Sequence, residues 1–241
     1  YTRTIDYDAR SSKLDYTLRQ GTGQGGPAGG GNAPTSTTPL VGDQRTIQMV
    51  SGSVAWGMNG NTVVPAPADA EQRQLEIWLT PHGCLKAALL PGANPIVITR
   101  NEQGKGRIRT VSFMALGKYR VQCAINDRNL VERIQTYFPN PVVGDLYYEL
   151  VLTNYKDFGG VKVPMKIGQK QGPAGYVYPV LDLNVSDVQP NAAVDIKPGE
   201  REGAVKVESA KIADGVWYLS GNPQPNAMAV GFKDYTVIIE S

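Results

Sequence analysis

The one histidine of the chain, His82, lies two residues from one of its two cysteines, in Thr80-Pro81-His82-Gly83-Cys84. Imidazole and thiol are the groups from which a nucleophile–base pair is built. The spacing speaks against such a pair, because side chains two apart on a helix project from different parts of its surface. No Ser, Cys or carboxylate stands at a recognisable spacing to orient His82 as a general base. The plainer reading is a first-turn histidine held by local packing or a hydrogen bond. Asp127, Glu132, Asp145 and Asp157 are the next candidates. Paired carboxylates can do acid–base work, but these four fall in or beside turns, where Asp mostly hydrogen-bonds its own backbone. Trp56, Trp78 and Trp217, with twelve tyrosines, could line a ligand groove; aromatics are core material first. Residue type and spacing therefore assign no catalytic residue, no cofactor-binding residue and no metal ligand.

Cys84 and Cys123 are the only cysteines, too few for a disulfide scaffold or a cysteine metal site. Two readings stay open. They are buried thiols acting as small apolar groups, or they form one bridge, which a secreted chain permits if the Cα atoms come within about 7 Å.

Bulk composition narrows the classes. The 241 residues allow one large all-β unit or two smaller ones, and an apolar fraction of 41% suffices for a core. Basic residues number 24 and acidic ones 22, evenly spread, which argues against a nucleic-acid footprint and a polybasic membrane anchor. No run has the length of a transmembrane helix, and no signal peptide is visible. The first residue is Tyr1 rather than Met, so the expectation is a processed, trimmed or partly recorded chain. The 27 glycines and 17 prolines fit a β-rich chain with many turns.

The elements that must position any site are mostly strands. Tyr119, Val121, Cys123 and Ile125 alternate with polar residues, as do Val161, Val163, Met165 and Ile167 against Lys162, Lys166 and Lys170, and Leu181, Leu183 and Val185 against Asp182, Asn184 and Ser186. Such alternation marks strands with one dry face and one wet face, hence an antiparallel sheet covered on one side. Further strands are expected at 2–7, 13–19, 44–50, 54–58, 96–100, 107–114, 130–137 and 146–154, with a tight turn at 155–160. Pro65 and Pro67 interrupt the pattern. Asp69, with Gln72 three residues on, has capping-box spacing, and Leu75, Trp78 and Leu79 form the dry stripe of the helix that follows. Thr80 as N-cap and Pro81 at the first helical position start a second helix, with Leu85, Ala88 and Leu89 as its inner face. These two short helices are the natural cover for the dry side.

Gln20 to Pro39 is a Gly/Pro/Ser/Thr loop with too little apolar surface to offset its ordering entropy; it reads as a plain surface loop, or else a lid or partner-binding loop. Within it, GTGQGG (Gly21 to Gly26) fits G-x-G-x-x-G only superficially, since no helix follows, and a dinucleotide site is rejected. Gln189 to Gly203 reads as a linker, so the expected division is 1–200 and 201–241. After the linker come short strands at 205–208 and 216–219 and a hairpin, 227–232 and 235–240, turning at Lys233-Asp234. Its last strand, Thr236 to Glu240, is nearly all apolar, which predicts burial on both faces. Such a strand is half of a β/α layer.

KIADGVWYLSG (Lys211 to Gly221) followed by NAMAVGFKDYTVIIES (Asn226 to Ser241) resembles the opening strands of metallo-β-lactamase-fold hydrolases, whose start follows a "gv..l.g....n.....f.d..vlie" pattern. The likeness covers Val205 to Ser241. The upstream part resembles the N-terminal domain of a bacterial subgroup of these proteins. It does so through YTRTIDYDA (Tyr1 to Ala9), GGGNAP (Gly29 to Pro34), RQLEIWLTPHGCLKAAL (Arg73 to Leu89), INDRNLVERIQTYFPNPVVGD (Ile125 to Asp145), YKDFGGVKVP (Tyr155 to Pro164) and YPVLDLNVSDVQPNA (Tyr178 to Ala192). That domain is similar in layout to the lipoprotein-carrier half-barrel, a curved antiparallel sheet around short helices.

The resemblance implies a mainly β fold: a half-barrel sheet covering two helices, then the opening strands of an αββα metallo-β-lactamase fold. It implies an accessory role in an extracytoplasmic, zinc-dependent hydrolase, packing on the catalytic domain and shaping substrate access or assembly. The family's H-x-H-x-D-H motif is not in this chain, which has a single histidine. No metal ligand can be carried over, and zinc is expected in a catalytic part on the same or another chain. That part is the expected partner, with homo-oligomers also open and no nucleic acid. Two rival readings are a carrier module for a lipid or other apolar ligand and a self-assembling structural β protein using exposed sheet edges.

Overall fold

The computed structural model describes residues 1–18, 43–102, 104, 106–140, 144–173, 176–194, 196, 207–221 and 227–240. The 20–39 loop with its GTGQGG run, the GGGNAP segment and most of the second half of the 189–203 linker lie outside the described residues. What is described is mainly β: three antiparallel sheets and two short helices, with no sheet closed into a barrel. The chain divides into two compact units, Tyr1–Gly199 and Glu200–Ser241.

The first unit holds two sheets. One runs in chain order through β1 (Thr2–Asp6), β2 (Ser11–Leu18), β3 (Gln44–Ser51), β4 (Val54–Asn59) and β5 (Thr62–Pro65). β5 was not expected. The chain turns at Gly60, whose φ of +58° suits glycine, and the strand ends on Pro65 at the sheet edge, where a missing N–H does no harm. The second sheet is a seven-stranded meander: β6 (Ile96–Glu102), β7 (Gly106–Ala115), β8 (Tyr119–Ile125), β9 (Val131–Asn140), β10 (Gly144–Phe158), β11 (Val161–Gly172) and β12 (Tyr178–Asn184). β8 buries Tyr119, Val121 and Cys123, as its alternation requires.

Alternation fails further along. β10 runs through the expected 155–160 turn as far as Phe158, and the chain reverses only at Gly159-Gly160. Tyr148, Leu150 and Leu152 face the core, yet the next residue packed there is Tyr155, three positions on. Between them Asn154 takes φ +57°, a left-handed conformation asparagine tolerates. The opposite strand resets with it: Leu152 pairs with Ile167, and Tyr155 with Pro164. Pro164 is therefore fully buried, while of the predicted dry face only Ile167 packs on the core. β12 also departs from expectation. Leu181 and Val180 are exposed because this edge strand lies beyond the helices, which pack on other strands.

Those helices are α1 (Ala70–Trp78) and α2 (Pro81–Ala88). α1 lies against β2, β3 and β4; α2 lies against β7, β8 and β9, so the pair joins the two sheets through one core. Leu75, Trp78 and Leu79 are buried as predicted, together with Ile77. Asp69 does not form the capping box. It sits in a short 3-10 turn, Pro67–Asp69, and its carboxylate receives Arg73 instead. Thr80 does cap α2, accepting from the Gly83 amide at 3.1 Å with Pro81 behind it. The inner face of α2 is Gly83, Cys84, Ala87 and Ala88; of the predicted stripe Ala88 is buried, while Leu85 is exposed and Leu89 is 85% exposed. At Gly83 the α1 backbone comes too close for a larger residue.

The second unit is a four-stranded meander of β13 (Val207–Ala213), β14 (Val216–Gly221), β15 (Ala227–Gly231) and β16 (Thr236–Glu240). Trp217 lies over Gly231, where a Cβ would stand 3.0 Å from its ring. β16 is not buried on both faces as predicted. Val237, Ile238 and Ile239 are 39%, 51% and 49% exposed. As an edge strand it has a single neighbour, and no helix is among the described residues of this unit.

Gly83 gives the helix elbow a sharp test. A Cβ there would meet the Ile77 carbonyl at 2.3 Å and Thr80 Oγ1 at 2.5 Å. Alanine's helix propensity would favour Gly83→Ala by ~1 kcal/mol, but overpacking against backbone outweighs it. Gly83→Ala is expected to destabilise the fold by about 2 kcal/mol or more, read as a lower urea midpoint at unchanged slope.

Candidate functional site

Side chains of possible chemistry converge at the elbow between α1 and α2. Thr80 Oγ1 donates to the Ile77 carbonyl at 2.9 Å, accepts from the Gly83 amide, and accepts from the Tyr7 hydroxyl at 2.8 Å. Cys84 follows on the inward face, and its thiol donates to the Pro81 carbonyl at 3.4 Å. Cys123, from β8, lies in the same buried cluster, close enough for the two sulfurs to influence each other. Both cysteines are fully buried and unbridged. Burial, then the neighbouring sulfur, pushes the Cys123 thiol well up, so the protonated, weakly nucleophilic form holds at neutral pH. Tyr155, whose hydroxyl donates to the Val131 carbonyl at 2.5 Å, is likewise held protonated by burial.

His82 does not join this cluster. It is half-buried in the first turn of α2, and that burial, with Lys86 nearby, holds its pKa below the usual 6.5 against the opposing pull of the Lys162 backbone. The imidazole is neutral at pH 7, and no carboxylate contributes to its environment.

The carboxylates stay apart in role. Asp157 accepts from the Gly160 amide at 2.6 Å and closes the β10–β11 turn, as turn chemistry predicts. Asp145 stands near the other end of the same strand, about 40 Å away at ~3.3 Å per residue. At the β8–β9 turn it is Asn126, not Asp127, that holds the chain, accepting from the Arg128 and Leu130 amides. Glu132 sits on β9. None of the four hydrogen-bonds another. Trp56 and Trp78 are buried in the first unit, and Trp217 belongs to the second.

Sequence reasoning missed the polar anchors. Arg73 donates to the Met49 and Trp56 carbonyls at 3.2 and 2.7 Å and pairs with Asp69, fastening α1 to β3 and β4. Buried Gln74 donates to the Arg10 carbonyl, and Arg3 to the Glu76 carbonyl at the end of α1. On the second sheet Glu149, nearly buried, accepts from Tyr147 and Gln135, with Lys170 at 3.7 Å. Burial and Glu149 raise Tyr147 to about 12. Gln135 and Lys170 are the cross-strand partners of Glu149, a relation visible only once register is known.

Among the described residues no three His, Cys, Asp or Glu side chains gather to hold a metal ion, so no metal chemistry is assigned to them. No helix among them is long and apolar enough to cross a membrane. No family model, curated protein or solved structure matches this chain.

Two measurements check these assignments. The folded pKa of His82 is depressed, so the unfolded chain binds its proton more readily. Stability is then full above pH 6.5 and falls as pH drops from there through the folded pKa. Urea midpoints across that window should show this slope, and His82→Asn should flatten it, since no other histidine exists. The two thiols should resist a soluble alkylating reagent in buffer and react together in denaturant, because both are sealed in one core. Fast native labelling of Cys84 alone would show that the elbow opens locally.

Proposed function

We propose that this chain is the non-catalytic accessory portion of an extracytoplasmic metallo-β-lactamase-fold hydrolase. The first unit is a scaffold, and the second offers its sheet to the remaining layers of the catalytic domain, on the same polypeptide or another. The supporting observation is the terminal strand. Consecutive residues of a strand point to opposite faces, and Val237, Ile238 and Ile239 are all substantially exposed, with Phe232 and Tyr235 stacked at 4.8 Å in the adjoining turn. Apolar side chains on both faces suit a strand that takes a layer on each side. The sequence likeness of Val205 to Ser241 to the opening strands of such hydrolases supplies the identity of those layers. Zinc and the hydrolytic water belong, on this reading, to the part that completes the domain.

The rival reading of a half-barrel carrier holding its guest under the sheet has less support. The space under the sheet is filled by Leu75, Ile77, Phe113, Ile134 and Leu152, all fully buried. The assembly reading rests on β6, an edge strand whose Ile96, Val97 and Ile98 are all exposed.

Hydrogen exchange on this chain and on the native polypeptide from its source separates these readings. Amides of Thr236–Glu240 should exchange fast in the 241-residue chain and slowly in the native protein, which should carry zinc. Tight stoichiometric zinc on this chain alone would overturn the accessory reading. So would a native polypeptide of no greater mass with no stably associated second chain. A dimer protected at Ile96–Glu102 instead would favour assembly.

A further inference from the structure

Among the described residues, six other than glycine have positive φ: Arg10, Asn94, Leu116, Asn129, Asn154 and Asn191. Four are asparagines, which adopt the left-handed region at little cost. Arg10 and Leu116 have no such excuse; a bulky side chain there is an outlier. The two come from different sheets, Arg10 from the β1–β2 turn with φ +50° and Leu116 from the β7–β8 turn with φ +54°. Both line one hollow of about 330 Å³, with Trp78, Ala87, Leu90 and Met114. Strained residues held by their surroundings collect at ligand sites, and these are held. The buried Gln74 amide and the Gly52 N–H both donate to the Arg10 carbonyl. The Leu116-Gly117 turn is closed by the Lys118 amide on the Ala115 carbonyl.

The lining defines the ligand. Trp78 is only 2% exposed and forms floor rather than wall. The walls are aliphatic: Ala87, Leu90, Pro91, Met114, Ala115 and Leu116. The only charged lining residue is Arg10, whose guanidinium has no hydrogen-bond or ion-pair partner among the described residues. A guanidinium fork matches a carboxylate, and the volume lies at the small end of ligand pockets.

We propose that this hollow binds a short saturated acyl carboxylate, its chain against Met114, Leu90 and Leu116 and its carboxylate on Arg10. The site is independent of the strand pair on which the accessory reading rests, and no covalent step is involved.

Octanoate and its neutral counterpart octanol are suitable probes, titrated into the 241-residue chain by ¹H–¹⁵N NMR. Octanoate should shift amides of Arg10, Leu90 to Gly92 and Met114 to Gly117. Arg10→Asn keeps a residue that tolerates the left-handed backbone and removes the charge. It should weaken octanoate about tenfold, the scale of one charge-assisted hydrogen bond, and leave octanol unchanged. Leu116→Gly relieves the strain and deletes a wall. It should raise the melting temperature while weakening both probes several-fold, which a purely structural Leu116 would not do. Three results would overturn the proposal: no saturable shifts at millimolar octanoate, shifts confined to the exposed β6 or β16 strands, or equal octanoate affinity in Arg10→Asn.

Discussion

The structure turns on one hydroxyl. Thr80 Oγ1 bonds the last turn of α1 through Ile77, the first turn of α2 through Gly83, and the β1–β2 turn through Tyr7. A helix end leaves backbone groups unsatisfied, and here the end of one helix and the start of the next are buried together. A single donor–acceptor group serves both. Gly83 is the steric half of the same constraint, since no Cβ fits between Thr80 and the Ile77 carbonyl. With the elbow fixed, α1 is committed to the first sheet and α2 to the second, and the two sheets share one core.

Because both helices fill that core, the chemistry of the first unit is pushed to its margins. The interior groups that could react, Cys84, Cys123 and Tyr155, are held protonated or hydrogen-bonded in an apolar setting. In the first unit the edge strands β6 and β12 lie away from the helices, and the hollow between the Arg10 and Leu116 turns is open beside them; in the second unit, β16 is an exposed edge. The proposed docking sheet and acyl site both fall in this set. The two are of opposite kinds, an open apolar strand and a small concave pocket with one charge.

Much of the first unit was legible from pattern. β8 alternates in sequence and in burial, and Thr80-Pro81 announces the start of α2. Local signals failed where a neighbour overruled them. Asp69 and Gln72 have capping-box spacing, yet Arg73 takes the Asp69 carboxylate. Leu85 and Leu89 look like a core stripe, yet α2 turns Gly83, Cys84, Ala87 and Ala88 inward, and at Gly83 the α1 backbone leaves no room for a Cβ. Asn154 inverts the alternation of two paired strands by one left-handed residue, which no period-two count contains. For the candidate sites, the residues flagged by type, His82 and the four carboxylates, do not come together, and Asp157 closes a turn. Arg10 and Leu116 carried no flag.

The amino-acid order by itself determined both helices and most of the strands, and that β structure dominates. Those outcomes depend on side-chain periodicity, turn residues and composition, all local in the chain. Tertiary structure decided that the only two cysteines meet, that Gln135, Glu149 and Lys170 form a cross-strand set, and that the two strained turns face one hollow. It also decided that an apolar terminal strand stays uncovered. Each of these depends on which distant segments lie side by side, and packing distances between elements, such as the one that excludes a Cβ at Gly83, are written in no single stretch of sequence.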